Sequence, residues 1–453
     1  MIFADALPRI KTFLRPARLT ATTAALLTRL VAAFLYHPGR MSCAQAAEAI
    51  RAEARHRAQL ARFLARCHWS KDWAVLTACA DLLLRQEAQP GGRWLFVLDQ
   101  TLCSHQGQKT ENTFSCGNHS KRPNKSKRKQ KKYAKRSCHC FVLGLLITPS
   151  GLRIPCCRCY YTKDYCQAQR LVYHKQTELA AQLIEHLAVP VGAAVVVLGD
   201  TAFEAKIIRT ACQKRAFVWI VPINPERVLA GPRPRPKVKS LAEGLVAEHC
   251  EAVRLTPGQG VYAAQQRAAR CRVGPQAKPH TYWVHPEQRA VHNVGDVLLV
   301  FSTKEQPRPG QAVRVQKVLM SNERSLSTAD VVALYDLRWQ IELFFKELKS
   351  TLGLAQYRCR RFRQVEGWVQ ACLVAFCYLE WYRAGQRARP GLTDKQRQWW
   401  QGQRCHGIAQ AVTRQAQDHD LSRLLRWSGS PSGLKRLRQA LRRALPPEYR
   451  QTG

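Results

Sequence analysis

Three carboxylates hold the chemistry that this chain's residue types allow. Asp99 closes the apolar run Arg93–Asp99 (RWLFVLD), and Asp200 closes Ala193–Asp200 (AAVVVLGD). Each run has the pattern of a buried strand ending in an acid. Two such strands at the centre of one sheet bring both acids to the same edge. Glu342 stands in Tyr335–Lys349 (YDLRWQIELFFKELK), which reads as helix. At about 100° per residue, Arg338 lies at about −60° from Tyr335, Glu342 at about −20° and Lys349 at about −40°, one narrow face. Leu334, Ile341, Phe345 and Leu348 form an adjoining apolar stripe that can pack on a sheet. Two strand acids and one helix acid suit a pair of Mg²⁺ ions, which prefer carboxylate oxygen and keep waters able to attack phosphorus. Such a pair steadies the attacking and leaving oxygens of an in-line displacement. Plainer roles exist for the same residues. Asp200–Thr201 can cap the helix Phe203–Arg215, and Arg338–Glu342 suits an ordinary i,i+4 pair. A solvated face, however, scatters its charges more widely than this strip does.

Those residues need a sheet and a helix to hold them. Cys138–Thr148 and Leu152–Tyr161 predict a hairpin turning at Pro149–Gly151. Helical spacing over Lys163–Leu187 precedes the second acidic run, and the strand Ala216–Val221 follows the helix Phe203–Arg215. The order strand, hairpin, helix, strand, helix, strand makes the fold class α/β. Residues 222–322 are irregular, with a Pro-rich linker at Leu229–Lys237 and strand-like segments at His280–His285, Asp296–Ser302 and Val313–Met320. They predict a mainly β insertion within the core. Ser327 caps a long helix, Asp330–Leu352, and residues 364–384 form a further apolar helix. Residues 1–90 read as helices: Ser42 precedes Gln45 at capping-box spacing, Ser70 caps a helix reaching Leu84, and the loop Gln89–Gly92 ends the region. The expected divisions are 1–90 (helical), 91–221 (first part of the core), 222–322 (β insertion), 323–384 (end of the core, with the Glu helix) and 385–453 (basic, helical).

Charge narrows the partners. Lys and Arg number 72 against 31 Asp and Glu, a net charge of +41 over 453 residues. A surface so cationic repels itself until it meets a polyanion, and nucleic acid suits it better than an anionic membrane. Helices at 1–90 then suit DNA-end binding, with a purely structural cap as the alternative. Lys121–Arg136 (KRPNKSKRKQKKYAKR) is a concentrated basic run. As a phosphate-binding arm it offers Lys121, Arg122, Lys125, Lys127, Arg128, Lys129, Lys131 and Lys132; as a solvated loop it would contact nothing. No apolar stretch is long enough for a membrane span and no signal-peptide pattern opens the chain, so a cytoplasmic protein is expected. Among the 18 cysteines, Cys138, Cys140, Cys156, Cys157, Cys159 and Cys166 cluster, with Cys116 and His119 upstream. Their C-x-C and CCxC spacings fit buried strand thiols better than a zinc site.

Taken together, Tyr335-x2-Arg338-x3-Glu342-x6-Lys349 resembles the Y-R-E-K signature of insertion-sequence-4 type transposases. The segments LFVLDQT and VVLGDTAF are similar to that family's first and second acidic motifs, and VQKVLMSN followed by STADVVALYDLRWQIELFFKELKS to its approach to the catalytic glutamate. The resemblance covers about residues 93–360. It implies a ribonuclease H-like core interrupted by a mainly β insertion, with helical N- and C-terminal regions. It also implies cut-and-paste DNA transposition: Mg²⁺-dependent cleavage at the element's ends through a hairpin intermediate, then strand transfer. Asp99, Asp200 and Glu342 would hold two Mg²⁺ ions, which Mn²⁺ could replace. Tyr335, Arg338 and Lys349 would contact phosphates of double-stranded DNA, the terminal repeats and the target, with the protein a homodimer on DNA. An aromatic of the insertion stacks on a flipped base in that family; Trp283 is the candidate here, although packing suits it better. Gln100 departs from the pattern, since many relatives have a second acid there. A DNA-binding relic that no longer cuts, a nuclease of the same core that never joins ends, and a zinc-stabilised binding module are the competing readings.

Overall fold

A computed structural model of the chain describes residues 6–36, 45–46, 59–60, 62–65, 68–105, 110–116, 136–268, 279–385, 407–435 and 439. The architecture is mixed α/β: one ten-stranded mixed sheet with helices packed on it. Its strands are β1 (Trp94–His105), β2 (Phe114–Cys116), β3 (Arg136–Ile147), β4 (Arg153–Cys159), β5 (Val195–Leu198), β6 (Val218–Pro222), β7 (Glu251–Leu255), β8 (His280–Val291), β9 (Gly295–Thr303) and β10 (Lys317–Ser321). They lie in the order β2-β3-β1-β5-β6-β10-β9-β8-β7, and β4 pairs with β3 as well.

The centre is parallel and the flanks are antiparallel. β1, β5 and β6 run parallel, in the register Val97↔Leu198↔Ile220. β3 pairs antiparallel to β1, and β4 antiparallel to β3. The central strands are apolar runs because both faces are covered: all four residues of β5 are buried, as are Trp94 through Leu98. Beyond β6 the sheet continues without a break through β10, antiparallel to β6, and on to β9, β8 and β7. The β segment expected after residue 222 therefore extends the core sheet edgewise. β7 is a strand that the sequence pattern did not single out, because only Val253 of its five residues is buried.

Several elements differ from the sequence expectation. β1 does not stop at Asp99 but runs six residues further, because β3 pairs with it as far as His105. Lys163–Leu187 is two helices, Lys163–Gln169 and Gln176–Glu185, parted where Arg170 adopts a left-handed backbone (φ 54°). The helix Ala74–Leu84 has Trp73, not Ser70, at its N-cap position and starts there without a side-chain cap, behind a 3-10 segment at His68–Trp73. The capping spacing at Ser42 lies outside the described residues.

The helices Ala6–Leu14, Ala21–Tyr36 and Ala74–Leu84 share one core with the apolar helix Phe362–Gly385. Phe34 meets Trp368 edge to face at 4.9 Å, and Phe13 meets Tyr378 at 5.7 Å. Such aromatic pairs add about 0.5–1.5 kcal/mol beyond their buried area. No described helix is long and apolar enough to cross a membrane.

Candidate active site

Asp99 and Asp200 sit where the parallel pairing of β1 and β5 ends. The last paired residues are Val97 and Leu198, and each acid lies two residues further along its chain. Asp99 is thus held inside β1, opposite Leu143 of β3, and not at a strand end. Asp200 leaves β5 and caps a 3-10 turn, Thr201–Phe203: its Oδ1 accepts from the Ala202 N–H at 2.9 Å. The capping role and the site position coexist, since a carboxylate has a second oxygen. Asp99 Oδ1 likewise accepts from the Gln100 N–H, at 2.7 Å. Gln100 itself is exposed, and its side chain accepts from the Cys140 thiol at 3.7 Å.

The third acid comes from a composite helix. Ser327 caps it: Ser327 Oγ accepts from the Asp330 N–H at 3.1 Å. Thr328–Asp336 is α-helical, Leu337–Trp339 tightens to 3-10, Gln340–Lys346 is α again, and Glu347–Thr351 loosens to a π turn. Tyr335, Arg338 and Glu342 stay together on it. Arg338 donates to Glu342 Oε1 at 2.6 Å and lies 6.0 Å from the centre of the Tyr335 ring. Lys349 departs from them, reaching β1 to donate to the Leu102 carbonyl at 3.0 Å. The apolar side of the helix also differs from an ideal stripe. Leu334, Ile341 and Leu348 are buried as expected, but Phe344 is fully buried and Phe345 only half. The helix is sandwiched, with β1 on one side and the helix Phe362–Gly385 on the other.

Electrostatics join the three acids. Burial pushes Asp99 up to about 6, the Gln100 N–H opposes this, and the negative charges of Asp200 and Glu342 add to it. Arg338 acts on Asp99 in the opposite sense. Tyr335 is buried, which raises its phenol to about 12, and it feels Arg338, Asp200 and Glu342. Asp99 and Tyr335 thus each lie within electrostatic reach of Asp200, Arg338 and Glu342. Among the described residues, however, no three His, Cys, Asp or Glu side chains stand close enough to share one ion. Glu342 is paired with Arg338 instead. The donor set is all carboxylate oxygen, partly desolvated and mutually repelling, which is the chemistry that a hard divalent cation complements.

A cavity of about 300 Å³ opens beside this strip. Arg338, Tyr335 and Trp339 line it from the helix, and Lys304, Lys317 and Tyr282 from the inserted strands. Lys317 lies 4.9 Å over the Tyr335 ring and Lys304 5.2 Å over that of Tyr282, both cation–π distances. Trp339 is half exposed. Sequence reasoning missed Lys304, Lys317, Tyr282 and Trp339. Strand alternation was the available signal: Tyr282 faces the cavity, so its neighbour Trp283, the aromatic singled out before, points to the other face of β8. Trp283 is half-buried and opposite Thr303.

The basic-run residues Lys121, Arg122, Lys125, Lys127, Arg128, Lys129, Lys131 and Lys132 lie outside the described residues, as does His119. Cys138, Cys140, Cys157, Cys159 and Cys166 are buried, four of them on β3 and β4, and Cys156 is half-buried.

The family model described as "DDE superfamily endonuclease" matches residues 14–273, more than half of the chain. The matched stretch contains Asp99 and Asp200 and stops short of Glu342. A search of curated proteins found no match.

Proposed function

The chain belongs to the DDE superfamily of endonucleases, which act on DNA and use divalent metal ions, and from this we propose that it is a cut-and-paste transposase of the insertion-sequence-4 type. What supports the reading is that Asp99 and Asp200 each stand two residues beyond the last paired residues of β1 and β5, and that Asp99 lies within electrostatic reach of Asp200, Glu342 and Arg338. The strand order β4-β3-β1-β5-β6, with only β3 antiparallel to its neighbours, supports a ribonuclease H-like core. The inserted strands that extend the sheet support the expected β insertion at 222–322.

Asp99, Asp200 and Glu342 would hold two Mg²⁺ ions, which supply a nucleophilic water and stabilise charge on the leaving oxygen. As a metal ligand Glu342 would give up its bond to Arg338. Arg338 would then be free to pair with a DNA phosphate, a bidentate partner for its planar fork. Tyr335, whose ring centre lies 6.0 Å from that guanidinium, would help to orient it. Lys349 keeps one donor on Leu102, and its remaining donors suit the DNA backbone. The basic run is proposed as a second phosphate-binding element, and a homodimer as the form that bridges two DNA ends. Residues 1–90 are proposed as a DNA-end-binding region, and residues 385–453 as a dimer contact, a DNA contact or both.

A supercoiled plasmid carrying the coding sequence with its native flanks tests the reading. With Mg²⁺ the protein is expected to cut at the flanks and join the freed 3′ ends to a target plasmid. Cutting without joining would leave an endonuclease and remove the transposase. Binding without cutting would leave a relic.

Metal binding should depend on pH through Asp99. Its carboxyl is held at about 6, so below that pH a proton must leave before an ion enters. The sign follows: Mn²⁺ affinity, measured by calorimetry, is expected to be level above about pH 7 and to fall by up to about tenfold per unit below about pH 6. A flat profile from about pH 7 to pH 5 would mean that the Asp99 carboxyl titrates below this window or does not bind the ion.

A further inference from the structure

Behind the acids lies a buried charge cluster that none of this chemistry uses. Arg153 of β4 has no exposed surface. Its guanidinium donates to Glu347 Oε2 at 2.7 Å and to Glu380 Oε1 at 2.7 Å, with the Phe376 ring 5.0 Å away. Arg383 donates to the same Glu380 oxygen at 2.5 Å and to the Ala268 carbonyl at 3.3 Å. Desolvation costs several kcal/mol per ion, and apolar residues of equal volume often stabilise a core as well or better. Stability alone is therefore a weak reason for such a cluster. Its location is a stronger one.

Glu347 is the first residue of the π turn, five residues beyond Glu342 on the same continuous helix. The turn is closed by the Leu352 N–H donating to the Glu347 carbonyl at 3.1 Å, a bond one residue longer than an α-helix makes. An underwound turn leaves a helix's rotation and axial position less determined than regular α-helix does. Here two side chains of the turn are tied to two different strands. Glu347 is held by Arg153 of β4, and Lys349 holds the Leu102 carbonyl of β1, three residues beyond Asp99. We propose that the Arg153–Glu347 pair, with Lys349, sets the rotation and axial position of the helix that carries Glu342. Arg153 and Glu347 are positioning residues: they act through the π turn and touch neither DNA nor the reacting atoms. Glu380 and Arg383 hold Arg153 in place.

The cleavage and Mn²⁺ parts of the test rest on the reading of Glu342 as a metal ligand; amide exchange and DNA affinity do not. The informative variants are Glu347→Gln, which keeps shape and removes the charge, and Arg153→Lys, which keeps charge and removes the fork. Amide exchange over residues 340–351, Mn²⁺ affinity, DNA affinity in Ca²⁺ and cleavage in Mg²⁺ are read on the full chain. In Glu347→Gln the 340–351 amides are expected to exchange faster while those of β1 and β5 do not. Mn²⁺ affinity and the cleavage rate fall with it, by up to the roughly 10–100-fold that follows removal of a direct outer partner of a metal ligand. DNA affinity stays as in the wild type. Arg153→Lys repeats this pattern; if it does not fold, Glu347→Gln decides. Wild-type exchange and Mn²⁺ affinity in Glu347→Gln overturn the proposal, as does faster exchange spread evenly over the whole chain. If the wild type cuts no DNA, the nuclease reading fails separately, and amide exchange over residues 340–351 still decides the positioning role.

Discussion

Glu342→Gln is expected to remove Mg²⁺-dependent DNA cleavage while leaving DNA binding intact. The substitution keeps the size of the side chain and takes away the charge that binds a divalent ion. A ligand acts on the metal directly, so the loss should exceed the roughly 10–100-fold that follows removal of an outer partner. Binding survives because it is spread over a chain with a net charge of +41, and one fewer carboxylate near the DNA weakens nothing. Single-turnover nicking and a gel-shift titration at one salt concentration separate the two quantities. Cleavage at the wild-type rate would shift the third ligand to another acid of the same composite helix, Asp336 or Glu347. Asp336 already accepts from the Tyr282 hydroxyl at 3.3 Å and Glu347 is engaged by Arg153. Of these three acids, Glu342 is the one whose charge acts on Asp99.

The second large effect is on stability. Phe344→Ala should cost about 3–5 kcal/mol, the range for truncating a buried aromatic. Phe344 has no exposed surface and meets Phe376 edge to face at 4.8 Å. The cavity left behind lies between the helix of Glu342 and the helix Phe362–Gly385, so the structure cannot collapse into it without moving one of them. Urea unfolding should show a lower midpoint with an unchanged slope. Phe344→Leu, which keeps most of the volume, should cost clearly less. A midpoint like the wild type's for Phe344→Ala would mean that this helix is not clamped between sheet and helix. The two experiments are complementary: Glu342→Gln tests the chemistry of the helix, Phe344→Ala its support.

Local pattern made much of this protein legible. Asp99 and Asp200 could be read because each follows an apolar run, and a run with both faces buried has the same signature wherever it lies in a sheet. Ser327 and the helix behind it were readable from capping chemistry and from the spacing of Tyr335, Arg338 and Glu342. The hairpin of β3 and β4 was readable from its turn at Pro149–Gly151.

What local pattern could not decide were distances between segments far apart in the chain. That β1 runs on past Asp99 depends on its pairing with β3, some forty residues later. That the inserted strands extend the core sheet depends on β10 settling beside β6, across nearly a hundred residues. Phe344 and Phe345 are adjacent and equally apolar. Which one is buried depends on the 3-10 turn at Leu337–Trp339 and on a second helix covering the far side. Nothing in the sequence around Arg153 marks its partners. Its burial against Glu347 and Glu380 appears only when β4, the π turn and the helix Phe362–Gly385 converge. Periodicity is set by a residue's own few neighbours and so is written along the chain. Register, burial and charge pairing across the fold are set by which surfaces meet, and those are fixed only when the whole core closes.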